Sequence, residues 1–435
     1  MSWFEDTFGF KETTYDATRE RFEFLESEGE GEGFTLKVKD TDKSFHIGKF
    51  EMLSLSDARA RLSHANTSDT GDSSEHELGG LTFKNIIGDV STLILDASNA
   101  GNVFQAASQF NVLEMMSPEV TPDKGITCYF RDRTQGPISA MACPAGTAFR
   151  NYYLTGSSSS SSSSSTVGVG LGQGGSFGGS QVNTLHAVED LLFNVEGGKL
   201  GDRYWNVENG FCIPLQKDSL PSLNLRLAVE VDAGDAEGGL EGAVSALSVS
   251  GASESALACQ VRDLVEQGVH WDTEVAQPKK WKKVSASVAA GGGGGGTGGF
   301  FEDTSQSSHR VCQVYSSGCP VAYTRSVSTT ADWEKFATLI LESAFECTLA
   351  VGSILARERG ERVKVFLTGV GGGVFGNGAS WIMRSILRAL KIHLHESIDV
   401  ILVNYGVITD MNRQIETSIA AHMFKQSKQS EGPKL

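Results

Sequence analysis

The chain has 435 residues, 40% hydrophobic and 21% charged, enough apolar matter for a buried core and too much for a disordered protein. A net charge of −16 repels a nucleic-acid backbone, and the short run Lys279-Lys280-Trp281-Lys282-Lys283 does not reverse that, so no nucleic-acid binding is expected. Seven cysteines without a CxxC pair argue against a zinc or disulfide framework, and no metal is expected. No basic start with an apolar stretch opens the chain and no run of about 18 apolar residues occurs, so the expectation is a cytoplasmic or nuclear protein, not secreted and without a membrane partner.

Residues 1–79 read as a charged N-terminal α+β extension, with alternating segments Phe34–Lys39 and Ser44–Phe50 forming a hairpin. Residues 80–425 read as one α/β domain with two flexible insertions. The first, 156–181, holds the serine run Ser157–Ser165 and a glycine-rich tract with nothing to bury. The second, 276–309, holds Gly291–Gly296. Residues 426–435 read as a disordered tail.

Within that domain, Leu81–Ile87, Thr92–Asp96 and Ile138–Cys143 read as strands. Apolar positions 103, 104, 107, 110 and 113 suit a helix over Val103–Met116. His270, Asp272 and Glu274 alternate along a strand and would share one face. Val311–Tyr315 is a further strand. Thr330 or Asp332 caps a long helix that runs to Arg359 and stops at Gly360. Val363–Thr368 is a buried strand, Ser380–His393 a helix and Ile398–Tyr405 a final buried strand. Apolar strands alternating with helices predict a three-layer α/β/α fold around a mixed sheet.

Between Val363–Thr368 and Ser380–His393, six glycines fall within the ten residues Gly369–Gly378. Glycines there let the backbone approach a ligand and point successive N–H groups at it, and the following helix adds its positive end. No Lys-Ser/Thr follows them, which excludes a nucleotide-triphosphatase loop. Gly371–Gly376 satisfies GxGxxG, but a dinucleotide fold carries that motif near its start and needs an acid at the end of the next strand. Here that strand ends Asn404-Tyr405-Gly406.

With three segments in order, the chain resembles a macrodomain, the ADP-ribose-binding α/β fold. Gly88-Asp89-Val90-Ser91-Thr92 resembles the family's opening Gly-Asp motif, which implies that Asp89, with Val90 beside it, contacts adenine. Ser98-Asn99-Ala100-Gly101-Asn102 resembles the loop at the distal ribose and implies roles for Asn99 and Asn102. Gly371, Gly372, Gly373, Val374, Phe375, Gly376 and Asn377 resemble the second phosphate loop, whose aromatic packs on the distal ribose. Gln109-Phe-Asn-Val-Leu-Glu-Met, Asp132-Arg-Thr-Gln-Gly-Pro, Cys143-Pro-Ala-Gly-Thr and His270-Trp-Asp-Thr-Glu-Val resemble an uncharacterised subgroup with large insertions. Gly101-Asn-Val-Phe-Gln stands where the hydrolases of the family carry a Gly-Gly-Gly loop, and the Glu pair of the glycohydrolases is absent.

The resemblance implies binding of ADP-ribose, an NAD-derived ligand or an ADP-ribosylated protein, with no cofactor required. Hydrolysis of an ADP-ribosyl linkage needs a group to activate water or protonate the leaving oxygen. The candidates are Glu114, Asp132 and Asp272. Phe375 stands among glycines with little core to fill, which favours a ligand contact. Two other readings stay open: a binding-only reader or scaffold, and a Rossmann-like enzyme using the same loop for NAD.

Overall fold

The structure is a computed structural model that describes residues 2–26, 33–65, 79–155, 168–169, 172–174, 180–193, 203–228, 255–276 and 309–430. It is a mixed α/β protein with a mixed seven-stranded sheet. The chain divides into two compact units. The first comprises Met1–Met52, Asp89–Asn183 and Gly268–Tyr315, and the second Leu53–Gly88, Thr184–Gln267 and Ser316–Leu435. The N-terminal section expected over 1–79 is therefore shared between the units. The serine run Ser157–Ser165 and the glycines Gly291–Gly296 lie outside the described residues.

In the first unit the predicted hairpin is present, Phe34–Val38 pairing antiparallel with Ser44–Gly48, and Phe22–Glu26 extends it to three strands. Aromatic side chains supply its core. Phe4, Phe8, Phe10 and Phe22 meet edge to face or tilted, and Phe24, Phe34 and Phe149 stack on one another. Each such pair contributes about 0.5–1.5 kcal/mol beyond the area it buries. Strand Glu266–Val275 pairs antiparallel with His309–Ser317, with a bulge between His270 and Thr273.

Three segments of this unit differ from expectation. Val90–Leu95 is a helix, because Asp89 accepts the Ser91 N–H and caps it, so a short apolar run that reads as a strand coils instead. Val103–Ser108 is a strand with both faces covered, polar Gln105 included, so its apolar positions fit a helical period by coincidence. Gln135–Ala142, overlapping the expected strand Ile138–Cys143, is a helix. Within the expected first insertion, Gln173 is buried and donates to the Asn111 and Arg150 carbonyls, so that part of the tract belongs to the core.

The second unit holds three parallel strands in the order 363–367, 398–404, 82–87. Leu367 lies opposite Leu402 and Asn404 opposite Ile87, so the three carboxyl ends finish at one edge. The predicted long helix spans Thr330–Arg359, opened by a reciprocal Thr329–Asp332 capping box and closed by Gly360 in the left-handed region. One 18-residue window in it reaches a mean hydropathy of 1.6, so it is long and apolar enough to cross a membrane, yet 94% of that window is buried within the protein. Helix Ala379–Ile392 follows the glycine loop. Helix Asp410–Ser430 runs into the stretch expected as a disordered tail.

Gly352 of the long helix faces the sheet so closely that a Cβ there would lie 2.4 Å from Val365 Cγ2. Helix propensity alone makes Gly352→Ala stabilising by about 1 kcal/mol. Overpacking instead predicts a net loss of about 1–3 kcal/mol in denaturant unfolding. Equal or greater stability would mean that this helix and strand are free to separate.

Candidate functional site

The glycine loop leaves strand Val363–Leu367 at the shared carboxyl edge of the second unit and enters helix Ala379–Ile392. Its shape follows from where its carbonyls go. Gly369 O accepts from Gly372 N at 3.0 Å, Gly371 O from Asn377 N at 2.9 Å, Gly373 O from Gly376 N at 3.1 Å and Phe375 O from Ala322 N at 2.8 Å. Gly371 adopts φ +79°, a conformation a side chain resists. Among the described residues, the N–H groups of Gly369, Gly371, Gly373, Val374 and Phe375 meet no acceptor. The helix beyond starts at Gly378 without a side-chain cap, leaving its positive end open. Unused donors and an uncapped helix start suit an anion.

Two of the predicted loop contacts, Phe375 and Asn377, turn inward. Phe375 is only 8% exposed and packs against Phe211 and Tyr323, with ring centroids 5.5 and 5.7 Å away, so it does have a core to fill. Val374 is 53% exposed. Asn377 is buried, and its amide donates to the Cys319 and Gly371 carbonyls. Beyond the neighbouring strand ends, Ile87, Tyr405 and Val407 are also exposed, Tyr405 at 69%. Sequence reading passed over these, although an apolar side chain at or just past the end of a parallel strand is the available signal.

The remaining predicted residues lie in the first unit. Asp89 caps its helix and also accepts the Ser91 hydroxyl at 2.6 Å. Val90 is buried behind it. Asn99 is buried and donates to Leu93 O, and Asn102 donates to Ala100 O. Asp132 accepts the Thr134 N–H in the turn leading into helix Gln135–Ala142. The bulge in strand Glu266–Val275 breaks the expected common face. His270 points into the core, while Asp272 pairs with Arg310 and His46 and Glu274 accepts the His46 N–H. Burial, and after it Arg150, holds His270 well below the ordinary histidine range.

Glu114 sits on no helix. It lies in the loop after strand Val103–Ser108, 1% exposed, with Arg150 Nη2 at 3.3 and 3.2 Å from its two oxygens. Arg150 also donates to Val112 O at 2.8 Å and lies over the Tyr315 ring. It thereby pins Val112 at φ +54°, a strained value for a β-branched residue. The Gln109 side chain closes the same loop by bonding both the N–H and the carbonyl of Met115. Burial pushes the Glu114 carboxyl up to about 7, only partly offset by Arg150. Arg150 was missed in the sequence; a lone cation inside Ala148-Phe-Arg-Asn-Tyr152 is the signal of a buried partner. Gln135 ties its helix to the adjacent strand through Ala107 N and Gln105 O, which accounts for the Thr134-Gln-Gly-Pro motif structurally.

Compared with protein-family models, curated proteins and solved structures, the chain matches none of them. What the fold and site define is the class: a mixed α/β protein with a backbone-lined glycine loop at the carboxyl end of a parallel strand.

At pH 8, where Glu114 is ionised, Glu114→Ala leaves the Arg150 guanidinium buried without its counter-ion and should cost about 3–5 kcal/mol in denaturant unfolding. A loss under about 1 kcal/mol would mean that water reaches Arg150. The raised Glu114 pKa also has a sign. The folded chain holds this proton while the unfolded chain releases it, so the stability it contributes is full below about 4.5 and lost as pH rises toward about 7. Glu114→Gln, with no proton to lose, should show a flatter decline of stability between pH 5 and 8 than the parent protein.

Proposed function

We propose that this protein is a macrodomain-like binder of ADP-ribose or a related nucleotide diphosphate ribose, with the pyrophosphate seated in the Gly369–Gly378 loop. The observation that carries the reading is the set of unused N–H groups at Gly369, Gly371, Gly373, Val374 and Phe375, ahead of an uncapped helix start. The chain is strongly acidic, so a dianion needs such local donors to overcome the general field. Exposed Tyr405, Ile87 and Val407 past the neighbouring strand ends offer a planar base an apolar surface. The reading stands on this loop alone; Asp89 and Asn99 belong to the other unit.

Binding without turnover is favoured over hydrolysis. Glu114 is sealed against Arg150 away from water, and Asp132 and Asp272, though they reach solvent, belong like it to the unit that does not hold the glycine loop. A group that activates water has to reach it.

Titration calorimetry with ADP-ribose, ADP, NAD and ATP tests the proposal. A Cβ at Gly373 meets nothing within 4 Å, so Gly373→Glu should fold normally and place a carboxylate where the phosphate sits. ADP-ribose should bind the parent protein and bind the variant at least about tenfold more weakly, ~1.4 kcal/mol. Equal affinity in the variant, or no ADP-ribose binding at all, would sink the proposal. Binding of NAD alone would favour the Rossmann-like enzyme. Release of ADP-ribose from a modified protein would reinstate hydrolysis.

A further inference from the structure

The loop's receptive shape depends on a contact far away in sequence. Asn377 Nδ2 donates to Cys319 O at 2.7 Å and to Gly371 O at 3.0 Å, while Asn377 N donates to the same Gly371 O at 2.9 Å. Gly371 O thus takes two donors, and Cys319 O takes a second from Val321 N at 2.9 Å. Gly318 lies against this point: a Cβ there would fall 2.8 Å from Gly371 Cα and 3.2 Å from Asn377 Nδ2. Asn377 Oδ1 is buried without a donor among the described residues, so the side chain is held for its NH2 group.

We propose that Asn377 is the positioning residue of the glycine loop, its carboxamide latching the Gly371 carbonyl to the Gly318–Cys319 segment so that the free N–H groups stay available to a ligand. The chemistry is selective. A carboxamide supplies two donors from one nitrogen, a hydroxyl supplies one, and a carboxylate supplies none and opposes both carbonyls. With the latch open, the Gly371 carbonyl keeps only the Asn377 backbone N–H and loses its tie to the Gly318–Cys319 segment, and a carbonyl free to turn toward the seat repels phosphate. The functional meaning of this latch rests on the phosphate reading of the loop; the latch itself does not.

Hydrogen-exchange mass spectrometry on the full chain, with and without ADP-ribose, tests it in Asn377→Asp and Gly318→Ala. In both variants, exchange of the hydrogen-bonded amides of Gly372, Gly376 and Asn377 should rise at least about tenfold without ligand, while strand Phe34–Val38 keeps its protection. ADP-ribose affinity should fall by a similar factor. Asn377→Ser, which retains one donor, should fall between parent and Asn377→Asp. Unchanged loop exchange in Asn377→Asp overturns the latch, and so does a loosened loop that binds ADP-ribose as tightly as the parent. If the parent binds no ADP-ribose, the phosphate reading fails and the ligand-free exchange alone decides the latch. If Asn377→Asp loses protection throughout, the graded Asn377→Ser and Gly318→Ala results decide it.

Discussion

The anion seat proposed for the second unit depends on where the Gly371 carbonyl points. An acidic chain attracts no anion by its overall charge, so an anion seat must be made from dipoles fixed in place. A peptide backbone offers donors and acceptors in equal number, and a flexible glycine stretch would present both. Here the Gly369, Gly371, Gly373 and Phe375 carbonyls are tied within the protein, while the carbonyls of Val370, Gly372, Val374, Gly376 and Asn377 and the N–H groups of Gly369, Gly371, Gly373, Val374 and Phe375 meet no partner among the described residues. The helix Ala379–Ile392 adds the same sign of partial charge at the same place.

Two buried glutamates show how strongly the number of partners decides the state of a charge. Glu114 has one guanidinium at more than 3 Å, and burial wins, lifting its carboxyl to about 7. Burial also raises Glu346 of the long helix. There Arg59, with Nε at 2.5 Å, and Arg388 together outweigh it, and the carboxyl lies below its ordinary value. The difference is a second counter-ion and a closer first one, with shallower burial acting in the same direction. Glu346 with its two arginines binds three helices of the second unit, 55–65, 330–359 and 379–392, and so steadies the element whose start the glycine loop enters.

Much of the second unit was legible in the sequence because its signals are local and redundant. The long helix carries both a capping box and a glycine stop, and the strands 363–367 and 398–404 are apolar apart from Lys364, Asp399 and Asn404. In the first unit the signals are short and ambiguous. Thr92-Leu-Ile-Leu satisfies either period, and one side-chain cap from Asp89 tips it to helix. Val103–Ser108 goes the other way because it is covered on both faces, which no six-residue pattern reveals. The alternation that put His270, Asp272 and Glu274 on one face fails at a single bulge.

The site divides along the same line. Donors supplied by the backbone are visible in sequence as glycines, since only a chain without side chains needs so many in ten residues. What aims those donors is not visible. Asn377 meets Cys319 across 58 residues of chain, and nothing in either neighbourhood marks the partner. Phe375 misleads for the same reason, because Phe211 and Tyr323 come from segments that sequence proximity does not connect. Glu114, too, looks available for chemistry until Arg150, 36 positions on, is found against it. A local pattern can therefore tell which groups a loop contributes. The long-range contacts decide whether those groups face a ligand or one another.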